Sequence, residues 1–117
     1  MTEEWTPVTI EARLRAIANE NARLISAAQD LHRAYLDAQR TYDLAYARSY
    51  VSANGPAHEK RYLADIGTEA QREAKDVADA AYRHVERMLR GKRDELDALR
   101  SVGVSVRQAY SQGGSDG

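Results

Sequence analysis

The side chains of this sequence best suited to binding chemistry are cations interleaved with tyrosines, on both sides of the stretch 52–56. An arginine or lysine neutralises phosphate, while an aromatic ring stacks on a base of any identity. The pattern therefore favours a site for single-stranded nucleic acid. Its candidate residues are Arg40, Tyr46, Arg48, Tyr50, Lys60, Arg61 and Tyr62. The competing interpretation is that the tyrosines belong to a core and the cations solvate the helix ends.

Signatures of catalysis or metal binding are missing from the sequence. It has no Cys, its three His lie far apart, and it contains no glycine-rich phosphate loop, HExxH or GxSxG motif. Asp76, Asp79 and His84 come nearest to a metal-binding set, but Lys75 and Arg83 alternate with these acids as on an ordinary solvated helix face. We therefore expect a protein that is not an enzyme and that holds no metal and no cofactor.

The length and charge of the chain set limits on its partners. Its 117 residues fit a single domain, and 17 Lys plus Arg against 18 Asp plus Glu give a formal net charge of -1. Because no overall field attracts a polyanion, any nucleic-acid site must be local. The sequence has no apolar run of about 18 residues and an acidic start, so we expect a soluble protein of the cytoplasm without membrane contact.

The first half of the sequence has the pattern of one long helix. Thr6 followed by Pro7 is a helix-start signal, with Thr9 as a second possible cap, and we predict an arm over residues 1–8 and a helix over 9–51. Small and apolar residues then recur at alternating steps of four and three, which is typical of a coiled-coil seam. The seam positions are Ile10, Leu14, Ile17, Asn21, Leu24, Ala28, Leu31, Tyr35, Ala38, Tyr42, Ala45 and Ser49.

The second half begins with a strong break. Asn54-Gly55-Pro56 predicts a loop over 52–57, because Asn-Gly suits positive φ and Pro does not continue a helix. A short helix over 58–66 and a last helix over 69–110 follow, with Thr68 and Gln71 at capping-box spacing. These elements complete a single helical domain over 9–110. The tail 111–117 lacks apolar residues, and we predict that it is disordered.

Two apolar stripes are predicted on the last helix. The first is the seam that packs on helix one, formed by Ala70, Ala74, Val77, Ala81, His84 and Met88. A phase change near Gly91 starts the second, which includes Val85, Leu89, Leu96, Leu99, Val106 and Tyr110. A two-helix hairpin with few large aliphatics buries little surface, so we assign the second stripe to contacts between copies. The expected fold is all-α: a long antiparallel, coiled-coil-like helical hairpin with a short extra helix, assembled into a homo-oligomeric bundle or ring.

Two short motifs resemble the UvsY family of bacteriophage recombination mediators. The run 97–107, DALRSVGVSVR, is similar to that family's closing helix, and Tyr46-Ala47-Arg48 is similar to its basic-Ala-basic DNA-contact motif with Tyr46 in place of one cation. The resemblance, over residues 20–110, implies a small helical ring-forming protein of the bacterial host cytoplasm. It would bind single-stranded DNA and load a RecA-type recombinase, in the presence of single-strand-binding protein.

The same resemblance implies an oligomer-interface role for residues near the C-terminus, namely Leu96, Leu99, Val102, Val106 and Tyr110. A second hypothesis stays open beside it. In that alternative the chain is a structural or adaptor coiled-coil phage protein that binds a protein partner and no DNA, as the near-neutral charge would favour.

Overall fold

The computed structural model describes residues 4–115, which form three α-helices and no strand. Helix α1 spans Pro7–Ser52, α2 spans Ala57–Gly67 and α3 spans Glu69–Ser115. The predicted all-α class is confirmed. Helix α1 begins inside the predicted arm, and α3 continues through 111–115, where we expected disorder, because no proline interrupts its backbone hydrogen bonds there. Residues 1–3 and 116–117 of the predicted arm and tail lie outside the described residues.

The start of α1 is capped by two threonines. The backbone N–H of Thr9 donates to Thr6 Oγ1 at 3.1 Å, and the N–H of Thr6 donates back to Thr9 Oγ1 at 2.8 Å. This reciprocal pair satisfies donors that the first turn of a helix leaves without a partner. The predicted cap at Thr6, with Pro7 as the first helical residue, is therefore confirmed.

The turn between α1 and α2 has the predicted conformation. Gly55 has a φ of 114°, a region that side chains other than glycine rarely adopt, and a Cβ there would lie 2.7 Å from Glu59 Oε2. The N–H of Ala53 donates to the carbonyl of Ser49 at 3.1 Å, which closes the last turn of α1. Pro56 then caps α2 from an extended conformation.

The junction of α2 and α3 differs from the predicted capping box. Thr68 stands between the two helices with φ −118° and ψ 19°, and its side chain is fully buried. Its hydroxyl donates to the carbonyl of Ala64 at 2.6 Å, so it closes the end of α2 instead of capping the start of α3. The capping-box prediction is wrong because a threonine hydroxyl in this position reaches the carbonyl four residues earlier.

The chain divides into two compact units. The terminal unit contains the chain up to Ser26 and from Arg87 onward, and the loop unit is Ala27–Glu86. In the terminal unit Arg13 contacts Glu95 while the later Glu20 contacts the earlier Lys92, so the segments of α1 and α3 run antiparallel. Its buried core consists of Ile10, Ile17 and Leu99. Gly103 is also buried, and a Cβ at this glycine would be in van der Waals contact with Ile10, 3.5 Å from its Cγ2.

The loop unit is also an antiparallel pair of α1 and α3 segments, with α2 added. The rings of His32 and Tyr82 lie 5.0 Å apart, and Tyr42 meets Lys75 farther along the pair. Ala64, Thr68 and Val85 are its buried residues. Apart from Val85, the large apolar and aromatic side chains of this unit are half-buried or exposed, and its packing depends on tyrosine rings and polar contacts.

The predicted seam of α1 is confirmed, since each of its positions from Ile10 to Ser49 is buried or half-buried. The predicted seam of α3 between residues 70 and 88 is displaced by one residue. In the loop unit the inward positions are Gln71, Lys75, Ala78, Tyr82 and Val85, whereas Ala70, Ala74, Val77 and His84 are exposed. The physical reason is that a tyrosine ring or a lysine stem buries more apolar area than an alanine methyl group.

Four charged side chains join α1 to α3 in the terminal unit. Lys92 Nζ lies 2.5 Å from Glu20 Oε2 and 3.5 Å from Glu95 Oε2, and Arg13 pairs with Glu95 and, at 3.9 Å, with Glu20. The close contact with Lys92 lowers the pKa of Glu20, and the hydrogen bond from Arg13 lowers that of Glu95. The same contact with Glu20 raises the pKa of Lys92. This ion network makes the fold sensitive to pH.

We expect acid to remove the contribution of this network. A carboxyl group whose pKa is lower in the folded than in the unfolded chain stabilises the fold above its ordinary value of 4.5, and the effect is lost as pH falls through the folded value. The difference in Tm between the wild type and Glu20→Gln should therefore be largest near neutral pH and shrink below about pH 4.5. Thermal melts by circular dichroism at several pH values measure it.

The matched control for that experiment is Glu11→Gln. Glu11 pairs with Arg15 at 2.9 Å on the surface of α1 alone, with both side chains about 70% exposed, and such pairs contribute little. The Tm of the Glu11→Gln variant should stay close to that of the wild type at every pH. Equal losses for the two variants would contradict a special role for the network that joins α1 to α3.

Candidate nucleic-acid interface

A row of tyrosines runs along α1 in the loop unit. Tyr42, Tyr46 and Tyr50 follow each other at steps of four, which places them on one face of a continuous helix. The rings of Tyr42 and Tyr46 are 6.2 Å apart and inclined by 46°. All three rings are half-buried, so each keeps part of its surface for contacts with another molecule.

A lysine contacts the tyrosine ring at each end of the row. Lys75 Nζ, from α3, lies 4.6 Å from the centroid of the Tyr42 ring, and Lys60 Nζ, from α2, lies 5.6 Å from that of Tyr50. Both distances are within the range of a cation–π attraction. Three helices therefore contribute to one cluster of rings and ammonium groups.

Arg72 connects α2 and α3 beside the row. It donates to the carbonyl of Asp65 at 2.7 Å and lies 3.6 Å from the carboxylate of the same residue. Its interaction with the Tyr42 hydroxyl is the main cause that raises the pKa of Arg72. This guanidinium holds α2 and the start of α3 against the tyrosine row.

Close packing at the end of α2 places that helix beside α1. Ala64 is fully buried, and a Cβ at Gly67 would lie 3.4 Å from Ser49 Oγ of α1. Because the backbone approaches α1 so closely here, the earlier turns of α2 come to lie beside the end of the tyrosine row. Lys60 reaches Tyr50 as a result, and the exposed residues Arg61 and Tyr62 lie next to it in sequence.

The structure brings together only some of the predicted site residues. Tyr46 and Tyr50 lie in the row, and Lys60 contacts Tyr50. Arg61 is exposed on α2, and Tyr62 has 66% of its surface exposed. The row and Lys60 are the part of the prediction that forms a cluster, whereas Tyr62, two residues after Lys60, points about 200° around α2 from it.

Arg48 and Arg40 lie outside that cluster. Arg48 is two residues from both Tyr46 and Tyr50, so it points about 200° around α1 from each ring. Arg40 is exposed, stands two residues before Tyr42, and pairs with Asp37 at 3.3 Å. The motif Tyr46-Ala47-Arg48 therefore presents its aromatic ring and its cation on different sides of one helix.

Sequence reasoning missed three members of the cluster, Tyr42, Arg72 and Lys75. Tyr42 is a seam position of α1 in the sequence pattern, and the two cations lie on the part of α3 whose observed seam differs by one residue from the predicted seam. With Gln71, Lys75 and Ala78 taken as inward positions, Lys75 would have faced α1 near Tyr42. The signal that could have found them was therefore the helical register of α3.

Asp79, one of the acidic residues before His84, pairs with an arginine. Within residues 4–115, no group of three or more His, Asp or Glu side chains is placed to hold a metal ion. Asp79 instead accepts hydrogen bonds from Arg83 Nε at 3.1 Å to each of its oxygens, which raises the pKa of Arg83. In the same described part of the chain, none of the helices is both long enough and apolar enough to span a lipid bilayer.

Most of the residues assigned to an oligomer interface are partly covered within their own chain. Val85 and Leu99 are 8% and 6% exposed, and only Tyr110 is largely exposed, at 55%. The remaining four, Leu89, Leu96, Val102 and Val106, are half-buried. Val85 and Leu99 therefore contribute to packing within one chain, and the assignment of these residues to an interface stays a prediction.

No protein-family model matches the chain, and neither a curated protein nor a solved structure shows detectable similarity to it. The resemblance to the UvsY family therefore depends on the two motifs quoted above, and the function must be argued from the cluster itself.

Proposed function

We propose that this protein is a homo-oligomeric accessory protein of phage DNA recombination or replication that binds single-stranded DNA and helps to load a RecA-type recombinase. The observation that carries the proposal is the tyrosine row with a lysine at each end; the exposed Arg61 and Tyr62 follow Lys60 on α2. Rings next to cations match the alternation of bases and phosphates along a single strand. The loading role and the recombinase come from the UvsY resemblance, as do the bacterial cytoplasm and the single-strand-binding protein.

The mode of binding follows from the exposure of each group. The ring of Tyr62 is exposed enough for a base to stack on it, while the half-buried rings of Tyr46 and Tyr50 offer an edge or part of a face. Lys60 and Arg61 are close enough in sequence to neutralise adjacent phosphates. Because the chain is nearly neutral overall, affinity would come from this local cluster and increase when several copies grip one strand.

The first test is binding of a fluorescent oligo-dT across a salt series. Lys60→Ala combined with Arg61→Ala should weaken binding at low salt by about tenfold or more, and should reduce the salt slope by about 1.4, because each phosphate contact on a single strand contributes about 0.7. Tyr62→Ala should cost about 1–3 kcal/mol of stacking, whereas Tyr62→Phe should bind like the wild type.

A matched control removes the same charge from a different place. Arg23→Ala combined with Arg33→Ala deletes two exposed cations of α1 and should leave the salt slope nearly unchanged. If this control loses as much oligo-dT binding as the variant that lacks Lys60 and Arg61, the loss is explained by net charge alone. No binding of the wild type at low salt would contradict the DNA-binding function.

A second candidate function has one specific observation in its favour. Val77 is 63% exposed and lies in a row of small and apolar residues on α3, a surface typical of helix-to-helix contacts. A structural or adaptor coiled-coil protein without DNA affinity would use such a surface. The oligo-dT experiment separates the two functions, since the adaptor predicts no salt-dependent binding by any of the variants.

A further inference from the structure

Within residues 4–115, α3 carries a regular apolar stripe with five exposed members and one half-buried member, Ala81. This outer stripe consists of Ala70, Ala74, Val77, Ala81, His84 and Met88. Val77 and Met88 are 63% and 41% exposed, and Ala70, Ala74 and His84 are exposed as well. The steps between its members are four, three, four, three and four, which is the repeat by which one helix packs along another.

The spacing of the outer stripe reads the same in both directions. Two copies of α3 laid antiparallel would therefore bring Ala70 opposite Met88, Ala74 opposite His84 and Val77 opposite Ala81. Each layer would combine a small side chain with a larger one, which fills space well when helices approach closely. A parallel pair in register would instead place each residue against itself, with alanine against alanine in three layers.

The charges beside the stripe favour the same arrangement. Glu69, Glu73 and Asp76 flank its first half, and Arg83, Arg87 and Arg90 flank its second half; all six are exposed. An antiparallel partner would place Glu73 beside Arg87 of the other copy, twice because of the two-fold symmetry. A parallel partner in register would place Glu73 beside Ala78 and Arg87 beside Lys92 of the other copy, so it would form none of these ion pairs and would bring two cations together.

We infer that the outer stripe binds the same stripe of a second copy of this chain in an antiparallel pair. The inference rests on the homo-oligomeric part of the proposed function and replaces the stripe from Val85 to Tyr110 as the contact between copies. It does not depend on DNA binding, because none of the stripe residues belongs to the tyrosine row.

Charge reversal tests both the surface and the orientation. In light scattering and sedimentation without DNA, Glu73→Arg alone and Arg87→Glu alone should each raise the dissociation constant of the dimer by about tenfold or more. The double variant E73R/R87E should return to within about threefold of the wild type, because the symmetric pairs are restored with opposite sign. Circular dichroism checks that each variant keeps its helix content.

A second pair of variants tests the apolar layer. Val77→Glu should shift the protein toward monomer, whereas Val51→Glu, at a valine of α1 that is 78% exposed, should leave the mass unchanged. A wild type that is monomeric at high micromolar concentration overturns the inference, as does a double variant no better than its single variants. A wild type that forms the dimer but does not bind oligo-dT would support this inference and contradict the proposed DNA site.

Discussion

Replacing Ile17 with alanine is expected to lower the free energy of unfolding by about 2–4 kcal/mol. Ile17 is 1% exposed and is the largest apolar side chain that the described part of the chain buries almost completely. Its loss removes apolar contact and leaves a cavity between α1 and α3, and few other buried aliphatics can fill that space. Urea unfolding followed by circular dichroism measures the change.

Ile25→Ala is the matched control for this variant. Ile25 lies on the same helix and in the same unit, but it is 45% exposed. Its truncation removes fewer contacts and should cost less than about 1.5 kcal/mol. Equal costs at the two positions would mean that the terminal unit does not pack around Ile17.

Replacing Ala64 with leucine should destabilise the loop unit by about 1–3 kcal/mol through overpacking. Ala64 has no exposed surface, and the nearby Gly67 already approaches Ser49 of α1 closely, so three additional carbon atoms have no space. Relief requires α2 to move away from α1. The measurement is again urea unfolding, with oligo-dT affinity as a second readout.

The oligo-dT readout of Ala64→Leu links packing to function. If α2 moves, Lys60 leaves the ring of Tyr50, and the proposed site should lose affinity without any change in charge. Ala57→Leu, at an exposed alanine of the same helix, is the control and should leave both stability and affinity near wild type. Unchanged stability of the Ala64 variant would contradict the tight contact between α2 and α1.

Features that depend on neighbouring residues could be predicted from the sequence. The cap at Thr6 needs only a hydroxyl three residues before an N–H, and the turn at Gly55 needs only a residue that tolerates positive φ. The seam of α1 was also predictable, because Ile10, Leu14 and Ile17 mark its start with large aliphatics. One face of that helix is clearly more apolar than the others.

Features that depend on choosing between two faces could not be predicted. On α3 the row from Ala70 to Met88 consists of small and apolar residues apart from His84, whereas the row from Gln71 to Val85 contains the polar Gln71 and the charged Lys75. The latter nevertheless packs on α1, because Tyr82 meets the ring of His32 and Lys75 meets Tyr42. Such partners lie about 30–50 residues away in sequence, and local periodicity contains no information about them.

The same distinction applies to the candidate site. Composition and proximity to the loop are enough to indicate its tyrosines and the cations of α2, whereas Arg48 lies on a different side of α1 from the rings. Whether two residues share a helix face depends on their separation, and a separation of two places them far apart. Arg72 and Lys75 joined the cluster only through the pairing of α3 with α1.

The ion network in the terminal unit also limits how the two helices can slide along each other. Where small side chains dominate a helix pair, shifting one helix by seven residues exchanges one similar set of contacts for another, so several alignments would have comparable energy. Such a shift moves α3 by about 10 Å along α1. It would take Lys92 away from Glu20 and Glu95 away from Arg13, so the shifted alignment would lose these ion pairs. The native alignment is therefore favoured by charge where shape discriminates poorly.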